Sequence, residues 1–179
     1  FPNVSEAPVD VLAPMPATAQ VKHAVAIEPL PVRRDAEAYE ALRDRADEIT
    51  SKRGQRASVF LANLGPISAF TARATYAKNF FEAGGIEAPG NDGFLDDEGL
   101  VQAFKASGAK IACLCSSDAL YAERAAATAQ ALAKAGASHI YLAGRPGEME
   151  QSYKAAGIHS FIYVGCDVVA LLDDALKLA

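Results

Sequence analysis

One stretch constrains the fold of this chain more than any other. Val59 to Leu64 is an uncharged, mostly apolar run of the length of a buried strand, and Gly65-Pro66 breaks it with a turn. Phe70, Ala74, Ala77 and Phe81 then recur at helical spacing, Ser68 is placed to cap their helix, and Gly84 stops it. Strand, loop and amphipathic helix in that order predict the opening unit of an open α/β sheet. The loop leaving strand one of such a sheet is where ligands usually bind.

The same alternation continues to the end of the chain. A weak second strand is expected at Ile86–Pro89, followed by a Gly- and Asp-rich loop and a helix from near Asp97 to Gly108 with Leu100, Ala103 and Phe104 inward. Ile111–Cys115 reads as a central parallel strand, and Ser116-Ser117-Asp118 as the capping residues of an alanine-rich helix reaching Ala135. Ile140–Ala143 is the fourth strand, with Met149, Tyr153 and Ala156 marking its crossover helix to Gly157. Phe161–Val164 is the fifth, and Asp167 caps a last helix with Val168, Leu171, Leu172, Ala175 and Leu176 inward. Five strands, each followed by a helix, predict a doubly wound parallel sheet of flavodoxin-like class; that class brings the strand order 2-1-3-4-5.

Upstream the pattern differs. Six of the nine prolines (Pro2, Pro8, Pro14, Pro16, Pro29 and Pro31) fall in the first 31 residues, which predicts an extended, irregular segment with scattered apolar residues that suit a docked linker. Asp35 is a candidate cap for a helix whose Tyr39, Leu42, Ala46 and Ile49 form one narrow apolar seam. That seam fits either the domain or a partner. The expected organisation is therefore an extended linker over 1–34, a linker helix and basic connector over 35–56, and an α/β domain over 57–179.

Composition excludes several function classes. A formal charge of −5 argues against a nucleic-acid or anionic-membrane surface, and no apolar window is long enough to span a membrane. Cys113, Cys115 and Cys166 have no disulfide-framework spacing, so a reducing cytoplasm is the expected compartment. The chain starts at Phe1 without Met or a signal-like segment, as expected of a piece of something longer.

Motifs that carry chemistry are largely missing. There is no GxGxxG, no GxxxxGK[ST] and no GxSxG. Arg145, in the loop Gly144-Arg145-Pro146-Gly147, is read as an exposed arginine rather than an anion ligand. A response-regulator magnesium site would need carboxylates that Asn63-Leu64-Gly65, Ser116-Ser117-Asp118 and Gly165-Cys166 do not jointly supply. Cys113 and Cys115 share a sheet face with no histidine close in sequence, and are read as buried apolar residues. His139 and His159 are read as strand-edge residues, and His23 falls in the proline-rich segment.

Four segments carry a resemblance. FPNVSE, LPVRRDAEAYEALRDRAD (with its R-x-x-x-x-[YF]-E-x-L-R pattern), NLGPISAFTARATYAKNFFEAGGIEA and AGIHSFIYVGCDVVALLDDAL resemble the carboxyl-terminal part of the small subunit of bacterial heterodimeric methylmalonyl-CoA mutase. The resemblance implies a cobalamin-binding-like domain. In family members that use a histidine ligand, D-x-H-x-x-G follows strand one; here those three positions are Ile67, Ala69 and Ala72. A later S-x-L lies near Cys115-Ser116-Ser117 and a Gly-Gly pair near Gly144-Arg145, both degraded. An alanine has no nitrogen to coordinate cobalt.

The resemblance thus implies a non-catalytic, structural domain with no catalytic, cofactor-binding or metal-ligating residues of its own. Its partner would be a large subunit that isomerises methylmalonyl-CoA and succinyl-CoA with adenosylcobalamin. The alternative expectation is a flavodoxin-like domain that binds a flavin or another phosphate-bearing ligand between Gly65–Ser68 and Ser116–Asp118, unless Leu64 and Phe70 fill that crevice.

Overall fold

The structure, a computed structural model, describes Arg34 and residues 36–179. The proline-rich segment, His23 and the proposed cap Asp35 lie outside the described residues. Four parallel strands, β1 (Val59–Asn63), β2 (Ile111–Cys115), β3 (His139–Ala143) and β4 (Ser160–Ile162), form one sheet in the order β1-β2-β3-β4. β1 and β2 pair from Val59↔Ile111 to Asn63↔Cys115, and β2 and β3 from Ile111↔His139 to Leu114↔Leu142. Strand residues alternate between two buried faces, which is why the strands read as continuous apolar runs.

One face carries α1 (Glu37–Arg53), α2 (Ile67–Ala83) and α7 (Val168–Leu178), packed on Val59, Leu61, Cys113 and Tyr141. The other carries α3 (Asp97–Ser107), α5 (Ala126–Lys134) and α6 (Glu150–Ala155), packed on Phe60, Ala62, Leu114 and Leu142. A short α4 (Asp118–Leu120) runs into α5 through a π-helical turn at Tyr121–Ala125. The apolar seam of α1 packs on the domain: Leu42 and Ala46 are buried in the α1–α2–α7 core, and Tyr39 and Ile49 lie half-buried beside them. Its N-cap position is Ala36, which makes no side-chain cap bond. No helix among the described residues is long and apolar enough to cross a membrane.

The sheet departs from expectation at its β1 edge. No second strand forms at Ile86–Pro89; that stretch contributes one isolated bridge, Ser58↔Glu87, and a second bridge joins Leu64 to Phe94. Pro89 has no N–H to continue a ladder, and Gly90 has no side chain to hold an extended path. Asn91 stands in for the missing strand. Its Nδ2 donates to Leu61 O (2.8 Å) and its Oδ1 accepts from Asn63 Nδ2 (3.0 Å) and Gly93 N (3.1 Å).

Three smaller differences follow from local chemistry. The helix after β1 begins at Ile67 with Pro66 at its N-cap, leaving Ser68 exposed in the first turn, so Ser68 does not cap it. β4 stops at Ile162, two residues early, because Cys166 N bonds back to Tyr163 O in a turn that Gly165 takes at φ +100°. Met149 sits half-exposed in a 3₁₀ turn (Gly147–Met149) ahead of α6, whose inward residue is Tyr153. Other stop and cap signals are where the sequence puts them. Ser117 accepts from Leu120 N, Asp167 from Ala170 N, and Gly108 closes α3 at φ +70°.

Candidate functional site

The site to examine is the carboxyl edge of the sheet, where the loops after β1, β2, β3 and β4 meet. Its floor is tied shut. Ser116, fully buried, donates from Oγ to Leu64 O (2.8 Å), which joins the loop after β2 to the end of β1. Tyr121, buried in the π-helical turn, points its hydroxyl at the ends of two strands. It accepts from Ser116 N (2.9 Å), and its single O–H is shared between the carbonyls of Leu114 and Ala143 (both 2.9 Å). Burial pushes the Tyr121 hydroxyl well above its usual pKa, so it stays a neutral donor.

The crevice between Gly65–Ser68 and Ser116–Asp118 is occupied by the chain's own groups. Leu120 leans across it so closely that a Cβ at Gly65 would lie 2.6 Å from its Cδ1; Gly65 has φ +83°. Leu64 and Phe70 do not fill this space. Leu64 packs in the core on the α3–α5–α6 face, and Phe70 on the α2 face, where its ring abuts Gly93.

Arg73 of α2 closes the mouth from the other side. Its Nη2 bonds Asp118 Oδ1 (2.6 Å) and its guanidinium lies 4.9 Å over the Tyr121 ring. Burial by itself lowers the Arg73 pKa, but Asp118 and Tyr121 outweigh it and the net shift is upward. Arg73 Nη1 is buried with no acceptor. Gly144, at the end of β3, lies against it: a Cβ there would sit 3.0 Å from Nη1.

The remaining sequence candidates are not gathered into one centre. Ile67, 61% exposed, Ala69 and Ala72 lie on the first turns of α2. Arg145 is exposed, with Nη2 on Val164 O (3.1 Å) and its guanidinium 5.0 Å over Tyr163. Cys113 and Cys115 are buried in the core, where burial raises the Cys113 pKa well above normal; Cys166 is half-buried beyond β4.

His139 and His159 meet at the opposite, amino-terminal edge. Their rings stack at 4.6 Å, His139 Nε2 lies 3.0 Å from Ser160 Oγ, and Ile140 N donates to His159 Nδ1 (3.1 Å). Among the described residues no cluster of three His, Cys, Asp or Glu side chains is placed to hold a metal.

Sequence reading passed over Arg73, Asn91, Leu120 and Tyr121. Each acts on partners distant in the chain, and only Tyr121, a lone aromatic in an alanine-rich helix, carried a visible signal.

No family model matches the chain. Curated proteins do. The chain is 52% identical over 145 residues to the methylmalonyl-CoA mutase small subunit of Streptomyces virginiae, covering 81% of this chain and 22% of that protein. It is 36% identical over 147 residues to the small subunit of Propionibacterium freudenreichii subsp. shermanii, with the same shares of 81% and 22%. It is 34% identical over 172 residues to that of Porphyromonas gingivalis, covering 96% of this chain and 27% of that protein. Among solved structures, a CheY-like protein from Pseudomonas aeruginosa superposes with a TM-score of 0.52 at 14% identity, over 68% of this chain and 92% of that one. That likeness is one of fold.

Proposed function

The chain belongs to the family of methylmalonyl-CoA mutase small subunits, of whose length it spans 18% to 27%, and we propose that it is a structural, cofactor-free α/β domain of such a subunit. On this reading it binds a large catalytic subunit in a cytoplasmic heterodimer, and the isomerisation of methylmalonyl-CoA and succinyl-CoA belongs to that partner with adenosylcobalamin. The domain contributes by burying surface in the assembly, which stabilises the bound form by mass action.

The observation that carries the reading is the occupied crevice. Leu120 against Gly65 and the Arg73–Asp118 pair fill the space over the β1 and β2 ends. The residues present also fit a corrinoid poorly. Ile67 and Ala69 offer no imidazole and no carboxylate to orient one, and Arg73 stands against Gly144 where a nucleotide tail would need room. The same filling disfavours a flavin, which needs an open slot for its ring.

Absorbance of the purified chain mixed with adenosylcobalamin, followed by gel filtration with and without the large subunit, tests both parts. The expected result is no retained corrinoid on this chain alone and co-elution with the large subunit. Retained corrinoid at one per chain would overturn the cofactor-free reading, and separate elution would overturn the partnership.

A further inference from the structure

β4 is the outermost strand of the sheet, three residues long and bonded to β3 alone, so it can leave without taking another strand with it. Its start is joined to β3 through a side chain. His159 N donates to Ile140 O (2.8 Å), and Ile140 N donates in return to His159 Nδ1 (3.1 Å). An imidazole nitrogen therefore stands where a strand would offer a backbone carbonyl.

That exchange makes one rung of the sheet depend on a proton. A neutral imidazole accepts at one ring nitrogen, and an imidazolium accepts at neither. Nδ1 accepts here, so the neutral His159 ring carries its proton on Nε2, and a second proton on Nδ1 would meet the Ile140 N–H donor to donor. Ile140 is fully buried, and its N–H finds no other acceptor among the described residues. A buried donor stripped of its acceptor costs free energy that opening to water recovers.

His139 sharpens the dependence. Its ring stacks on His159 with centroids 4.6 Å apart and 27° between planes, so two protonated rings would repel at contact. Its own contact, Nε2 to Ser160 Oγ at 3.0 Å, tolerates either state, because a hydroxyl donates or accepts. The groups around the pair offer little compensation. Tyr141, its ring 4.5 Å from that of His139, is held neutral by burial. Ile111, opposite on β2, is apolar, and Lys110 before it is exposed. Asp174 on α7 favours the His139 proton, but Lys177 Nζ lies 3.0 Å from its Oδ1. Burial, and then His159, outweigh Asp174 and lower the His139 pKa to about 4.

We propose that the His139–His159 pair is a proton-operated latch: a proton taken up by His159 ends the bond from Ile140 N, and the start of β4 parts from β3 while the rest of the sheet stays folded. The inference concerns this edge alone and does not rest on the structural role above.

The test is amide hydrogen exchange of the complete, isotope-labelled chain at pH 7 and pH 5, read by NMR as protection factors with the intrinsic pH dependence divided out. At pH 5 an imidazole of ordinary pKa is protonated about thirty times as often as it is neutral, which bounds how much more often a latch that excludes the proton while closed will open. With solvent reaching both rings, protection of the amides of residues 140 and 159 is expected to fall at least about fivefold more than that of Ala112 and Leu114 in β2.

His159→Asn places a carboxamide oxygen, an acceptor that does not titrate, where Nδ1 lies, and is expected to abolish this excess fall at Ile140. Because β4 and β2 are compared within one sample, a general loss of stability in the variant moves both and does not imitate the result. An equal fall in β2 and at Ile140, no fall at Ile140, or an excess fall that persists in His159→Asn would each overturn the proposal.

Discussion

Tyr121 shows how a single buried hydroxyl can hold the ends of strands together. It reaches Ser116 N, Leu114 O and Ala143 O at the carboxyl ends of β2 and β3. Tyr121→Phe keeps the ring and removes only the oxygen. Each buried group left without a partner costs about 1–3 kcal/mol, so the variant is expected to lose about 2–4 kcal/mol in urea unfolding at unchanged m-value. Gly65 makes the complementary case. A side chain there meets both φ +83° and Leu120, so Gly65→Ala is expected to destabilise by about 1–3 kcal/mol. In the Leu120→Ala background the steric part disappears and only the backbone part remains. An equal cost in both backgrounds would show that Leu120 does not occupy the crevice. The caps Ser117 and Asp167 were legible in the sequence because their partners lie three residues away. Tyr121 and Leu120 act across the fold, on Ala143 and Gly65, and no local spacing encodes that.

The β1 edge and the β4 edge are closed by different means. At β1 the expected second strand gives way to two isolated bridges with the Asn91 amide between them. The stretch Ile86-Glu87-Ala88, with a charged residue at its centre, is too short to show whether a strand or a bridge results, and the role of a side-chain amide in place of backbone has no sequence period. Asn91→Ala is expected to cost about 1–3 kcal/mol and to speed hydrogen exchange along β1 more than along β3. Uniform acceleration across the sheet would instead mean that Asn91 acts only through global stability. At the other edge, the short β4 is joined to β3 partly through the His139–His159 stack. Burial, and then the neighbouring His159, lower the His139 pKa from its usual 6.5 to about 4, with Asp174 opposing. Between those values the unfolded chain binds one proton more than the folded one, so stability falls as pH drops from about 6.5 towards 4. Because His139 is only half-buried, solvent screening reduces the loss to about 1 kcal/mol. His139→Asn is expected to flatten this part of the stability-against-pH curve, read from urea midpoints at pH 7 and pH 5. A slope unchanged by the substitution would place the titration elsewhere.

At the scale of the molecule, the alternation of strands and helices specifies the two-faced sheet, because each strand period of two and each helix seam must find a buried partner. The α1 seam is where that reasoning stops short. Its period identifies an apolar stripe but not what the stripe faces, and only the fold brings Ala46 against Gly85 and Leu42 into the core with α7. An ion pair between Arg45 and Asp173 joins the same two helices at the surface. If α1 is an integral layer of the domain, Leu42→Ala empties space in the shared core and is expected to cost about 2–4 kcal/mol within one cooperative transition. If α1 were only a connector resting on the surface, its packing would contribute little, and the same substitution would leave the main transition unmoved while a weaker first step accounted for the helix. Urea unfolding followed in parallel by far-ultraviolet circular dichroism and by the tyrosine near-ultraviolet signal distinguishes these cases. Coincident curves shifted together mean that the helix preceding β1 folds with the sheet, and that a partner would meet the exposed face of α1 rather than its seam.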